Sequence, residues 1–158
     1  MFDTGSARKS EGELQMSRRS GIDATIASPG KELLLSLSSF ERFEDDSSVK
    51  FLLTCRSAYF EVRNHNFYSD FSAFRQFLPQ LRKIYAEVAG VAELAPSYEE
   101  EKIEIGLSTL GQVAVKCSVD VFDSFSQSCR MGFMVDQSYL PSFITHLEDV
   151  YAELKIVV

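Results

Sequence analysis

The chain has no tryptophan, and only three cysteines, two histidines and four prolines among 158 residues. Each scarcity removes a class of protein. Cys55, Cys117 and Cys129 are odd in number and lack CxxC spacing. They predict buried thiols in a reducing compartment, not a disulfide framework. His65 and His146 stand in separate segments, so no zinc-binding cluster is spelled out. No apolar run reaches the roughly 18 residues of a membrane-spanning helix, and the N-terminus has no apolar signal-peptide core. The expected address is the cytoplasm, with no membrane partner. Positive charge is also short: 16 Lys and Arg against 23 Asp and Glu leave a net charge of −7. Phosphate binding needs local positive charge, so nucleic acid is not an expected ligand. An acidic surface would instead steer in a basic partner.

Catalytic signatures are missing as well. There is no GxSxG, no P-loop, no GxGxxG and no Ser/His/Asp set that spacing nominates. "RNHNFYSD", Arg63 to Asp70, superficially resembles the HNH nuclease signature, but its second histidine is absent and no metal-ligand set follows. It reads as a loop between strand and helix. Asp45-Asp46 and Glu99-Glu100-Glu101 are consecutive carboxylates on polar loops. Acid–base catalysis needs carboxylates in unlike environments, and these share one. No catalytic residue, metal or cofactor is therefore assigned.

The remaining pattern is that of one folded domain with a tail. Residues 1–30 are polar, Ser/Gly-rich and aperiodic, so a flexible tail is expected, with the domain at 31–158. From Lys31 the apolar period is two. Leu33, Leu35 and Leu37 share a face, then Val49, Phe51, Leu53 and Cys55, then Ala58, Phe60 and Val62. The period changes to 3.6 at Phe71, Phe74, Phe77, Leu78, Leu81, Ile84, Tyr85 and Val88, capped by Ser69 or Asp70 and stopped near Gly90. Pro79 should kink this helix. Strands resume at Ile103, Ile105 and Leu107. After a turn at Gly111 come Val113 to Val121 at alternate positions, and then Cys129, Met131, Phe133 and Val135. A second helix carries Leu140, Phe143, Ile144, Leu147, Val150, Tyr151 and Leu154 on one stripe. The order β-β-β-α-β-β-β-α predicts an α+β fold: a six-stranded, mostly antiparallel sheet with both helices on one face. The two halves echo each other in topology without residue-level identity.

"VDQSYLP", where the last strand meets the last helix, reads as a structural joint. Asp136 or Ser138 offers an oxygen to the first N–H groups, and Pro141 sits where no N–H is needed.

Four segments in order resemble the WapI-type immunity proteins of bacterial polymorphic toxin systems. They are "KFLLTCRSAYFEVRNHNFY", "DFSAFRQFLPQLRKIYAEVAGVAEL", "EEEKIEIGLSTLGQVAVKCSV" and "CRMGFMVDQSYLPSFITHLEDV". Gly111-Gln112 departs from the Gly-His common in that pattern. The resemblance implies a non-catalytic intracellular protein that neutralises a cognate toxin by binding it, and the −7 charge adds the expectation that the toxin is basic. Two acidic clusters could steer such a partner: Glu41, Glu44, Asp45 and Asp46 at one end of the sheet, and Glu99, Glu100, Glu101, Asp120 and Asp123 near the other. The alternative is a small α+β enzyme or ligand-binding module, for which a deep pocket with converging polar groups would be the mark.

Overall fold

A computed structural model describes residues 17–43, 48–94 and 100–155. The chain forms two antiparallel sheets, one of five strands and one of four, with two helices. The first sheet is built from β1 (Ser17–Ser20), β2 (Ala24–Ala27), β3 (Leu34–Phe43), β4 (Ser48–Arg56) and β5 (Glu61–Asp70). The second comprises β6 (Gly90–Leu94), β7 (Lys102–Leu107), β8 (Gln112–Phe122) and β9 (Ser126–Asp136). Helix α1 (Phe71–Glu87) lies between the sheets in sequence, and α2 (Leu140–Leu154) follows the second.

The α+β class and antiparallel pairing agree with the sequence reading, but the single six-stranded sheet does not. Alternation tells which side chains face inward; it does not tell which edge a strand joins. Each block is a meander joined by short turns, so its strands pair with their sequence neighbours. Between β5 and β6 the 17-residue α1 carries the chain away, and a new sheet begins. The apolar faces of both sheets and both helices then merge into one core.

The expected tail is also corrected from Ser17 onward. β1 and β2 both pair with β3, Ser17 opposite Phe43 and Ala24 opposite Leu37, so together they form one interrupted strand on its outer edge. Ala24 and Ile26 are fully buried, and α2 packs over both strands. Two apolar residues in a four-residue strand give too little periodicity to see in isolation; the partner β3 makes the strand. Ser28-Pro29-Gly30 is a turn inside the fold: the Ser28 hydroxyl accepts the Leu33 N–H at 3.0 Å.

Most inward rows are as expected. Val49, Phe51, Leu53 and Cys55 are all completely buried, as are Ile103, Ile105, Val113 and Val115. The departures have local causes. In β3 the register shifts between Ser38 and Glu41, with Ser39 at φ 53°, and this bulge turns Phe40 inward. Ala58 and Phe60 are not inward strand residues; Ser57 to Phe60 is the β4–β5 turn, closed by the Ser57 N–H donating to the Phe60 carbonyl. "RNHNFYSD" is not a loop but most of β5. Val121 lies at the exposed end of β8, and Tyr85 and Val88 at the exposed end of α1. Val88 adopts the left-handed conformation that ends α1, two residues before Gly90. Asp70 precedes α1 but makes no side-chain cap.

Aromatic rings fill the centre of the first half. Phe51 stacks on Phe67 at 5.0 Å, and Phe40 tilts against Phe51 and Phe74. Arg42 lies over the Phe71 ring at 3.7 Å and donates to the Leu154 carbonyl at 3.2 Å, joining β3 to the ends of both helices. The joint before α2 is as read: Asp136 Oδ2 accepts the Ser138 N–H at 2.9 Å. Ser138, through its side chain and its backbone N–H, holds the Asp136 carboxyl below its ordinary value. The preceding N–H, from Gln137, donates to the carbonyl of Gly111, whose φ of 81° makes the β7–β8 turn.

Candidate functional site

The seam between the sheets brings together residues far apart in sequence. β5 contributes His65, Asn66 and Tyr68; the segment before β7 contributes Glu100 and Glu101; the β8–β9 hairpin contributes Asp120, Val121, Phe122 and Ser126. They line an open recess of about 430 Å³. His65 lies on the inward face of β5, opposite Leu53 and two residues before Phe67, at the end of that row beside a bulge where Asn64 takes φ 52°. The Asn64 N–H donates to Thr54 Oγ1 at 3.0 Å, which fixes the bulge.

Glu101 is the pivot of the seam. Only 7% exposed, it meets His65 Nε2 at 2.7 Å and accepts the Asp120 N–H at 3.1 Å. A buried carboxylate without partners would be costly, and these two bonds cover it while tying β5 to β8. Glu101 is thus a structural clamp between sheets, not the solvated loop residue its sequence suggests. Glu100 beside it is exposed. Asp120 accepts the Ser128 hydroxyl at 2.6 Å across the β8–β9 ladder. Asp123 lies in the hairpin turn, where its N–H donates to the Phe125 carbonyl.

Of the two predicted acidic clusters, the second is partly assembled: Glu100, Glu101 and Asp120 share the recess, and Asp123 stands in the adjoining turn. Glu99, Glu44, Asp45 and Asp46 lie outside the described residues. Glu41, the described member of the first cluster, is engaged by Arg19 at 3.4 Å and Lys50 at 3.9 Å. Sequence reasoning missed His65 and Tyr68, taken for loop residues, and assigned no role to Phe122 and Phe125 between the two strand rows. Two phenylalanines in a short turn of Asp and Ser were the available signal.

Other hollows are chemically different. One of about 510 Å³ on the outer face of the second sheet shares Glu100 with the recess and mixes it and Glu104 with Lys102, Lys116 and Arg130. A groove of about 680 Å³ between the helices has an apolar floor of Leu78, Pro79 and Tyr151 under Arg75 and Lys83. The bidentate pair between Arg82 of α1 and Glu148 of α2, at 2.8 and 2.5 Å, closes its side. Among the described residues, no three His, Cys, Asp or Glu side chains converge as a metal site. The three thiols are free. Cys55 of β4 meets Cys117 of β8, and that contact with burial pushes the Cys117 thiol up. No helix among the described residues is long and apolar enough to cross a membrane.

Fold and seam together define a two-sheet α+β scaffold with an acidic, aromatic-edged recess between its sheets. Residues 25–155 match the model of the Immunity protein WapI-like family, and the chain belongs to that family. The match begins inside β2, in the segment expected to be tail. Among solved structures, a chain of "Crystal structures of trypanosoma bruciei MRP1/MRP2" is similar at 11% identity, over 95% of this chain and 94% of that one, with a TM-score of 0.48. No curated protein matches the chain.

Proposed function

We propose that this protein neutralises a cognate toxin domain by stoichiometric binding in the cytoplasm, and that the toxin surface it meets is basic. Family membership over residues 25–155 carries this reading. The net charge of −7 supports the sign of the partner, because like charges facing each other would oppose docking. Glu100, Asp120 and Asp123 are the carboxylates proposed to steer it. Glu101 acts behind them by holding the seam closed.

Steering acts on the association rate and is screened by salt. Replacing Glu100, Asp120 and Asp123 together with Lys should slow association several-fold at low ionic strength, with a smaller deficit at high ionic strength. The measurement is association kinetics with the toxin domain encoded beside the gene, after co-expression has tested rescue of growth. Rescue without a physical complex would sink the binding mechanism.

One observation favours a second reading. His65 oriented by Glu101 at the wall of a recess is an arrangement that a small enzyme could use as a general base. In that case His65→Gln would abolish protection while toxin binding survived. On the binding reading, loss of protection always accompanies loss of the complex.

A further inference from the structure

We propose that the tip of the β8–β9 hairpin, together with the recess beside it, is the docking surface for an arginine-bearing segment of the partner. The guanidinium lies along the face of Phe122 between the carboxylates of Glu100 and Asp120. Phe125 packs outside the recess against the partner's surface. This inference rests on the binding function proposed above and adds the contact that would slow dissociation.

The first observation is apolar surface left in water. Phe122 is 80% exposed and Phe125 75%, with Val121 beside them at 44%. At the usual size of a phenylalanine, the two rings leave roughly 300 Å² of aromatic surface at one tip, within the range of the largest apolar patch on an ordinary monomer, which is often functional. The fold does not need these rings there. The hairpin is closed by backbone bonds, the Asp123 N–H to the Phe125 carbonyl and the Phe122–Ser126 pairing. Turn chemistry asks for Asp, Ser or Gly, not phenylalanine.

The second observation is charge. The recess is lined by three carboxylates and, among the described residues, by no Lys or Arg. Glu101 is committed to His65 and to the Asp120 N–H. Asp120 accepts one hydroxyl bond and has further lone pairs for a cation, and Glu100, exposed on the rim between the recess and the neighbouring hollow of Lys102, Lys116 and Arg130, adds a second carboxylate. A ring face beside carboxylates suits a guanidinium, which stacks on aromatic rings and pairs with carboxylates in one plane. The other exposed aromatic pair, Tyr59 and Phe60 at the β4–β5 turn, lacks this complement: Glu61 beside it is already paired with Arg56 at 2.9 Å and Arg63 at 3.1 Å.

The test is binding to the toxin domain encoded beside the gene, with association and dissociation rates measured separately. Phe122→Ala and Phe125→Ala are surface changes and should fold as the parent does, checked by melting. Each is expected to weaken binding about 10–100-fold, mostly through faster dissociation. Phe60→Ala should leave binding within about twofold, the ordinary result away from an interface centre. If the complex forms and both Phe122→Ala and Phe125→Ala bind like the parent, the hairpin is not the docking surface, and the immunity reading stands without it. If the parent forms no complex, the binding function falls, and this proposal with it.

Discussion

Ile26 is a sharp test of how the first sheet is completed. It sits in β2 opposite Leu35, is 0% exposed, and lies in the layer over which α2 packs. Replacing it with alanine removes three carbons from a closed core and leaves a cavity beneath α2. Such truncations cost roughly 2–5 kcal/mol, and at this chain length that is a fall in Tm of roughly 5–15 °C. Arg19→Ala in β1 is the control. Its side chain is 76% exposed and its pair with Glu41 is 3.4 Å long, so the change should stay within about 0.5 kcal/mol. The assay is urea unfolding followed by far-UV circular dichroism, since the chain offers no tryptophan for fluorescence. The same argument predicts that a chain beginning at Lys31 loses cooperative folding, because it strips the outer edge of β3 and uncovers α2. A chain from Lys31 that melts as the full chain does, or an Ile26→Ala variant of unchanged midpoint, would refute the packing of β2 and restore the tail reading.

Three further outcomes are expected. At Gly132, opposite Lys116, an added Cβ would lie against the Val115 carbonyl oxygen and 3.2 Å from the Lys116 Cα; both are backbone, so Gly132→Ala should destabilise by about 1–3 kcal/mol, and an unchanged urea midpoint would contradict the close approach. Asp136→Ala removes the acceptor for the Ser138 N–H and should lower Tm by a few degrees while toxin binding is retained; loss of binding by the folded variant would make Asp136 part of the interface. The Arg82 guanidinium holds the Glu148 carboxyl below its ordinary value, so its contribution is full above the unfolded carboxyl value and fades as pH falls through the folded one. Glu148→Gln should therefore cost at most about 1 kcal/mol at neutral pH, both groups being substantially exposed, and the difference should shrink below about pH 4; a deficit that grows in acid would contradict the pairing.

Periodicity alone determined a good deal of this protein. Val49 to Cys55, Ile103 to Leu107 and Val113 to Val119 were legible as strands with the right face inward, because strict alternation allows a half-buried strand only one orientation. The α2 stripe from Leu140 to Leu154 and the Asp136 joint were equally legible, since helix spacing and capping are local. Tertiary structure decided what depends on partners. Ala24 and Ile26 became strand because β3 presented an open edge and α2 a cover. "RNHNFYSD" became β5 because β4 offered its ladder, against the turn preference of its asparagines. The division into two sheets came from where α1 carried the chain. Glu101 shows the same limit at the site: in sequence it is the third member of an acidic run, and in the fold it is buried against a histidine 36 positions away. Charge and hydrophobicity belong to residues and can be read one at a time; burial and pairing belong to distances between residues, which only the folded chain sets.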